Sequence, residues 1–331
     1  MARKLIIDQD TLGPAGTNLQ AVALLLNAPG LEVLGITVPT GDHWRDQQVR
    51  HALRLLEILD RPEVPVLPGA EHPLVNTPAT VTRWEERHGK LIYNGAWDLA
   101  RPGRWANPRE VRDLPEGNPR LPPAAEAAAE FIVRQARAHP GEVSLWCGAP
   151  LTNLALALQR EPRLPELVRE LHCMGGAIAP VTEAREFRQN PRREFNFRFD
   201  PEATHAVLSA PWRRLTCSPI DVSQNIRADA ELFAAVRARG DSAYTRYLDR
   251  FAPRQRPMWD EVAAATWIDE TLVTRWEEAF LDVELDPGSA WGETLVNAPA
   301  ATTAVRPARL QLAIDESRFR QLFVALSHPA P

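Results

Sequence analysis

The sequence predicts a single α/β domain, built on a doubly wound, mostly parallel, Rossmann-like sheet. Short apolar runs alternate along the chain with amphipathic helical patterns, and this alternation is typical of a parallel sheet covered by helices on both faces. The 331 residues are enough for one large hydrophobic core. No linker-like segment divides the chain, so we expect residues 1–331 to form one domain.

The first strand is predicted at Leu5 to Ile7, because this short apolar run is bounded by turn formers. A Gly/Pro-rich loop follows, and Thr17 or Asn18 is the expected N-cap of a helix that ends at Leu26. Further strands are predicted at 32–37, 64–67, 143–147, 171–174, 214–217 and 309–314, and further helices at 42–60, 124–138, 154–159, 228–239, 260–272 and 316–325.

Residues 69–123 interrupt this alternation with a region rich in proline and charged residues. A loop of this length inside a compact domain is usually functional, so we expect it to be an active-site cover. It contains His88, which could act as an acid or stack on a base. A lone surface histidine is the simpler interpretation of His88.

Composition excludes several classes of function. Charged residues make up 24% of the chain and the net charge is −5, so there is no basic surface for nucleic acid. No apolar run has the length of a membrane span, and the N-terminal residues do not form a secretory signal. The three cysteines have no metal-ligand spacing and are predicted to be buried free thiols. We therefore expect a cytoplasmic protein that binds a small molecule.

Polar side chains follow several of the predicted strands. Asp8 and Asp10 come at the end of the first strand, where the ligands of an open α/β sheet bind. Two carboxylates there are candidates for metal binding or general-base catalysis, and capping of a turn is the alternative interpretation. Asp260 opens an apolar helix, a position that the helix dipole alone would favour. Asp10, Asp260 and a backbone carbonyl near Thr152 would suit Ca²⁺, and a metal-bound water beside a carboxylate is an activated nucleophile.

Glu194 and Asn196 lie two residues apart in what the sequence predicts to be an extended segment. Their side chains would then point the same way and bind adjacent hydroxyls of a sugar, although a surface loop is the alternative. The chain has no Gly-x-Ser-x-Gly elbow and no Walker loop. Asp8-x-Asp10-Thr-Leu is superficially similar to the haloacid dehalogenase-like phosphatase motif, but the spacing of the later metal motif argues against that family.

Taken together, these segments resemble the inosine-uridine preferring nucleoside hydrolase family over nearly the whole chain. Each segment is weak evidence alone, but their order and spacing are specific. The matching segments are Asp8-Gln-Asp10, the helix 21–26, Leu34-Gly-Ile-Thr-Val with Gly41-Asp42, Val64 to Ala70, Gly148-Ala-Pro-Leu-Thr-Asn-Leu-Ala155, Met174-Gly-Gly176, Glu194-Phe-Asn196, Asp200-Pro-Glu-Ala203 and Asp221-Val-Ser223.

The resemblance implies hydrolysis of the N-glycosidic bond of a ribonucleoside by water, with a bound Ca²⁺ that holds the water and the ribose hydroxyls. It implies that Asp10 is the general base and a metal ligand, and that Asp260 is a metal ligand. Asp8 is a candidate metal ligand, or else a residue that supports the ligands. Thr152 would be a further ligand through its carbonyl. We expect a homodimer or homotetramer with no nucleic-acid or membrane partner. The substrate-binding residues would be Asn18, Asp42, His88, Asn190, Glu194, Asn196 and Trp259.

The sequence departs from the family pattern at two places. The family's opening motif is Asp-x-Asp-Pro-Gly-x-Asp-Asp, whereas here the loop from Thr11 to Gln20 intervenes and the two later aspartates are missing. Asn18 and Gln20 are the nearest polar substitutes, and an amide brings no charge, so metal affinity should be weaker. Trp259 stands where the family has a histidine, and it could stack on a base. A non-catalytic nucleoside-binding protein on the same fold is the alternative.

Overall fold

The computed structural model describes residues 2–300 and 302–328. Its strands begin with a buried apolar segment at the position that the sequence predicts. The strands are β1 Arg3–Asp8, β2 Leu31–Val38, β3 Val66–Pro68, β4 Val143–Cys147, β5 Glu170–Met174, β6 Leu215–Ser218, β7 Val273–Ala279, β8 Leu281–Val283, β9 Thr294–Val296 and β10 Ala308–Ile314.

The main sheet has eight strands in the order β3-β2-β1-β4-β5-β6-β10-β7. Neighbouring strands are parallel from β3 through to β10, and the edge strand β7 is antiparallel to β10. The prediction of a doubly wound, mostly parallel sheet is confirmed. The strand order reverses between β1 and β4, and such a reversal opens a crevice at the carboxyl ends of the two strands. β8 and β9 form a separate antiparallel pair.

Helices cover both faces of the sheet. They are α1 Thr17–Asn27, α2 Arg45–Ile58, α3 Pro78–His88, α4 Ala128–Ala138, α5 Thr152–Arg160, α6 Leu164–Leu167, α7 Arg185–Gln189, α8 Phe195–Phe199, α9 Pro201–Leu208, α10 Ile220–Ser223, α11 Ala230–Arg239, α12 Ala243–Phe251, α13 Trp259–Ile268 and α14 Glu316–Leu326, with 3₁₀ turns at Gly95–Trp97 and Glu270–Leu272. None of the helices in the described ranges is long and apolar enough to cross a membrane.

The hydrophobic core is divided by the sheet. Successive side chains of a strand point to opposite faces, so Leu5 and Ile7 join the core beneath α1, α2, α13 and α14, whereas Ile6 joins the core beneath α4, α5 and α9. Helices α1 and α13 are buried on nearly every side. Because they pack on each other, they bring the beginning of α13 close to the end of β1. The three cysteines are buried free thiols, as predicted.

The beginning of α1 differs from the prediction. Gly16, rather than Thr17 or Asn18, occupies the N-cap position, and no side chain caps the helix. Both predicted caps lie in the first turn because their side chains have other partners: the Thr17 hydroxyl donates to Glu261, and Asn18 Nδ2 donates to Asp10. The first turn of α1 therefore directs the Asn18 side chain at Asp10, beyond the carboxyl end of β1.

The region 69–123 is more structured than its composition predicts. It contains α3, which begins with a capping box formed by Thr77 and Thr80, and the 3₁₀ turn Gly95–Trp97. The backbone amide of Ala96 donates to the carbonyl of Gly41, just after β2, and this bond ties the region to the end of the sheet.

Candidate active site

A cavity of about 250 Å³ lies at the carboxyl ends of β1 and β4, where the strand order reverses. Its walls come from the first turn of α1, the beginning of α13, the short helices α7 and α8, and the region 69–123. Six residues predicted from the sequence as site residues line it. These are Asn18, Asp42, Glu194, Asn196, Trp259 and Asp260.

Asp10 is buried directly behind the cavity wall. Its Oδ1 accepts a hydrogen bond from Asn18 Nδ2 at 2.9 Å, and its Oδ2 accepts one from the backbone amide of Asp42 at 2.7 Å. Gly41 allows this approach, because a Cβ there would collide with the Asp10 carboxylate. Burial raises the pKa of Asp10 well above its ordinary value, and the charges of Asp42 and Asp260 raise the pKa further. This environment makes Asp10 a stronger proton acceptor than an exposed carboxylate.

Asp8 has a different environment although it is two residues away. Its Oδ1 accepts hydrogen bonds from the Thr37 hydroxyl at 2.5 Å and from Asn153 Nδ2 at 2.7 Å. Its Oδ2 accepts one from the Cys147 thiol at 3.3 Å. Burial raises the pKa of Asp8 to about 6. Asp8 therefore links the ends of β1, β2 and β4, and it is not among the residues that line the cavity.

Asp260 lies in the first turn of α13 and faces the same region as Asp10. Burial raises its pKa well above the ordinary value, and the charges of Glu261 and Asp42 act in the same direction. Its buried Oδ1 accepts no hydrogen bond of normal geometry, although Gln9 approaches closely enough to lower the pKa slightly. A methyl group placed on Gly148 would lie 3.0 Å from this oxygen. The carboxylate and the Gly148 backbone are thus in close proximity.

Glu194 and Asn196 both line the cavity, but the predicted extended segment is wrong. Glu194 is the N-cap of α8, and Asn196 lies in the first turn of that helix. The Glu194 carboxylate accepts hydrogen bonds from the backbone amides of Asn196, Phe197 and Gly176. Asn196 Nδ2 donates to the carbonyls of Gly148 and Met174, at 3.2 and 3.1 Å. The helix forms here because the Glu194 side chain satisfies its first amides.

Asp42 forms the wall between Asp10 and the region 69–123. Its carboxylate accepts a hydrogen bond from the Tyr93 hydroxyl. Burial raises the pKa of Asp42, while the hydrogen bond from Tyr93 and the charge of Arg104 oppose that rise. The positive charges of Arg104 and Arg101, in the region 69–123, therefore offset part of the rise in the pKa of Asp42.

An aromatic wall completes the cavity. Trp259 lies at the first position of α13, and its indole nitrogen donates to Gln224 Oε1 at 2.6 Å. Phe187 of α7 belongs to the same hydrophobic cluster as Trp259, and Phe195 also lines the cavity. A cavity lined by both polar and aromatic side chains can bind a sugar that carries a planar group.

Three predicted residues lie away from the cavity. The Thr152 hydroxyl donates to Asp200 Oδ2 at 2.6 Å, and it is Gly148 of the same loop that lines the cavity. Asn190 accepts a hydrogen bond from Arg193. His88 packs against Trp84, with ring centroids 5.1 Å apart, and lines a separate cavity.

Several cavity residues have no signal in the sequence. Tyr93, Arg101 and Arg104 come from the region 69–123, Glu186 comes from α7, and Arg256 precedes α13. They lie in loops or short helices without periodicity, so only their positions in space relate them to the site. One of their contacts did have a signal in the sequence, because Tyr93 and Arg101 are an aromatic and a basic residue close along the chain. The Arg101 guanidinium lies 4.6 Å from the centre of the Tyr93 ring, in a cation–π contact.

The donors around Asp10 suit a hard cation in their chemistry. No group of three or more His, Cys, Asp or Glu side chains in residues 2–300 and 302–328 is arranged to hold a metal. However, Asp260 has a buried oxygen without a hydrogen bond among the described residues, its charge raises the pKa of Asp10, and Asn18 and Gly148 could add neutral oxygens. Such a mixed set of oxygens fits Ca²⁺, with fewer charges than a site built from carboxylates alone.

Comparison with known proteins identifies the family. The model of the inosine-uridine preferring nucleoside hydrolases matches residues 5–321. The pyrimidine-specific ribonucleoside hydrolase RihA of Salmonella enteritidis is 28% identical over 324 residues, which cover 92% of this chain and 94% of that protein. Uridine nucleosidase 1 of Arabidopsis thaliana is 32% identical over 207 residues, which cover 62% of this chain but only 53% of that protein.

Solved structures show the same fold. An inosine-guanosine nucleoside hydrolase has a TM-score of 0.77 and 21% identity, with 100% of both chains covered. A purine-preferring ribonucleoside hydrolase from Gardnerella vaginalis has a TM-score of 0.72 and 23% identity, with 98% of both chains covered. The α/β architecture and the family model agree over nearly all of the sequence. The chain therefore belongs to the inosine-uridine preferring nucleoside hydrolase family.

Proposed function

We propose that this protein hydrolyses the N-glycosidic bond of a ribonucleoside or a related N-riboside, with Asp10 as the general base. The observation that carries the proposal is the cavity itself. Its lining combines polar groups suited to ribose with aromatic side chains suited to a planar base, and Asp10, a buried carboxylate of raised pKa, is bonded to two of the lining residues, Asn18 and Asp42. The family supports nucleoside hydrolysis in general, and the roles of individual residues are our inference.

In the proposed reaction, the ribose lies against the polar wall. Asp42, Glu194 and Asn196 bind its hydroxyls, and Trp259 stacks on the base; all four residues line the cavity. Asp10 takes a proton from the water that attacks the anomeric carbon. The carboxylates around the sugar also stabilise the positive charge of an oxocarbenium-like transition state.

Members of this family generally require a metal. A bound Ca²⁺ would lower the pKa of the attacking water. Asp10 and Asp260 would hold it, together with neutral oxygens of Asn18 and Gly148. Asp8 and Thr152 have structural partners instead, so we assign them supporting roles. The predicted homodimer or homotetramer and the cytoplasmic location remain predictions.

The test is ribose release from a panel of purine and pyrimidine nucleosides, measured with Ca²⁺ present and after chelation. We expect at least one nucleoside to be hydrolysed, and Asp10→Asn to lose that activity. Asp241→Asn is the matched control, because the Asp241 side chain is 75% exposed and pairs with Arg246 on the surface. Calorimetric binding of nucleosides without any ribose release would instead favour a non-catalytic binding protein.

A further inference from the structure

The proposed reaction leaves an electron pair on the departing base, so a proton donor near the base would accelerate it. Among the cavity-lining residues that the structure describes there is no histidine. Tyr93 already donates its hydroxyl proton to Asp42, and Glu194 accepts three backbone hydrogen bonds as the cap of α8. Asp260 faces the end of β1, on the side of the general base. A different cavity acid is needed for this step.

Glu186 of α7, like Asp260, is a cavity carboxyl whose side chain lacks a full set of hydrogen-bond partners among the described residues, and it comes from a different element. Its side chain is half-buried and lines the cavity. Within the described part of the chain it forms no hydrogen bond, and only burial and neighbouring charges act on it. A carboxyl held in a cavity without a partner is free to contact a ligand there.

Glu186 has residues of both walls as neighbours. The charges of Glu194 and Asp42, on the polar wall, lie near enough to act on its carboxyl. The next residue in the chain, Phe187, is buried and lines the cavity as part of the aromatic wall. In a bound nucleoside the glycosidic bond joins the sugar to the base, so this bond must lie where the polar and aromatic walls meet.

We propose that Glu186 is the general acid that protonates the leaving base, an assignment that rests on the proposed nucleoside hydrolysis. As the bond from C1′ to the base nitrogen breaks, its electron pair passes to the base, and the Glu186 proton is transferred to a nitrogen or carbonyl oxygen of that base. The water oxygen bonds to C1′, and Asp10 takes the water proton. The net reaction consumes one water and yields ribose and the neutral base.

The protonation state of Glu186 agrees with this role. Burial raises its pKa to about 7; Arg198 and Arg101 oppose the rise, whereas Glu194 and Asp42 add to it. A general acid must carry its proton, so its contribution is present below this pKa and is lost as the pH rises through it. We expect turnover to fall on the alkaline side in the wild-type protein, and this limb to disappear in Glu186→Gln.

The decisive experiment compares two leaving groups in the intact protein. One substrate is the nucleoside turned over best by the wild type, and the other is 4-nitrophenyl β-D-ribofuranoside, whose phenolate leaves without protonation. For Glu186→Gln we expect kcat on the nucleoside to fall about 10²-fold to 10⁴-fold, and kcat on the nitrophenyl riboside to change less than about threefold. Glu183→Gln is the control, because the Glu183 side chain is 96% exposed.

The two hypotheses fail in different ways. If the wild type hydrolyses neither substrate, the proposed function is overturned and the role of Glu186 with it. If the wild type hydrolyses both, and Glu186→Gln either retains both activities or loses both equally, the role of Glu186 alone is overturned. The role of Glu186 would also be overturned if the fall in turnover at alkaline pH seen in the wild type persists in Glu186→Gln. Thermal unfolding of each variant identifies any loss that comes from misfolding.

Discussion

Asp8 and Asp10 follow the same strand, are both buried, and differ in what surrounds them. Three neutral donors from β2, β4 and α5 surround the carboxylate of Asp8. Asp10 has two donors and two neighbouring carboxylates, those of Asp42 and Asp260. Neutral donors hold a carboxylate in place, whereas like charges raise its affinity for a proton or a cation. The comparison separates a residue that joins strands from one that can react.

The largest effect should come from Asp10→Asn. We expect kcat/KM for the best nucleoside to fall about 10²-fold to 10⁴-fold, the usual contribution of a general base. The variant should still fold, because Asn18 can rotate its amide to meet the new one, and a repulsion between carboxylates is removed. Steady-state kinetics and thermal unfolding together test this. Activity within tenfold of wild type would remove Asp10 from the mechanism.

Asp8→Ala should have the opposite effect, a loss of stability with little loss of activity. The substitution leaves the donors of Thr37, Asn153 and Cys147 without their acceptor, and we expect the free energy of unfolding to fall by about 2–4 kcal/mol. Activity per folded molecule should change less than about tenfold, because none of the side-chain partners of Asp8 lines the cavity, whereas Asp10 is bonded to Asn18 and Asp42, which do. Urea unfolding and kinetics at low temperature measure the two quantities. A stable variant without activity would show that Asp8 acts in the site.

Gly148→Ala and Thr152→Val form a second matched pair. A Cβ on Gly148 would lie 2.6 Å from Gln9 Nε2 and 2.8 Å from Trp146 Cη2, so the cavity floor must shift. We expect activity to fall about tenfold to 10²-fold, since small displacements of reacting groups are costly. Thr152→Val removes only the hydrogen bond to Asp200 and should mainly lower stability, by about 1 kcal/mol. Activity lost in Thr152→Val and kept in Gly148→Ala would show that the Thr152 hydroxyl acts in the site.

The smallest effect in the series is a change of metal affinity. Asn18→Asp would add a carboxylate beside Asp10, and we expect Ca²⁺ to bind on the order of tenfold more tightly, because ligand charge tunes Ca²⁺ sites. Calorimetry and the Ca²⁺-induced rise in Tm, each on chelator-treated protein, give readouts independent of activity. Equal affinity in wild type and variant would mean that Asn18 lies outside any Ca²⁺ site. Asp241→Asn again serves as the surface control.

Sequence periodicity was sufficient for most of the sheet. Apolar runs bounded by turn formers located strands β1 to β6 and β10 to within a few residues. The edge strand β7 was missed because it is largely exposed and carries charged side chains, so it lacks that pattern. The short helices α7 and α8 were missed because a few residues cannot show a helical period.

The site was predicted in part for the same reason. Asn18, Asp42 and Asp260 stand next to regular elements, so their positions at the sheet edge followed from the fold. Glu194 and Asn196 were correctly associated with each other, but through the wrong local structure. The structure has His88 in a separate cavity, which the sequence could not show, because nothing in a region without periodicity indicates which way a helix faces.

The sequence by itself determined the α/β class, the family and the end of the sheet at which polar groups collect, because these depend on local patterns along the chain. The tertiary structure decided which groups at that edge are free to react. It placed Thr37 and Asn153 around Asp8, left Asp10 among carboxylates, and brought Glu186 to the cavity. Hydrogen-bond partners and neighbouring charges come from segments far apart in sequence, so no local pattern encodes them.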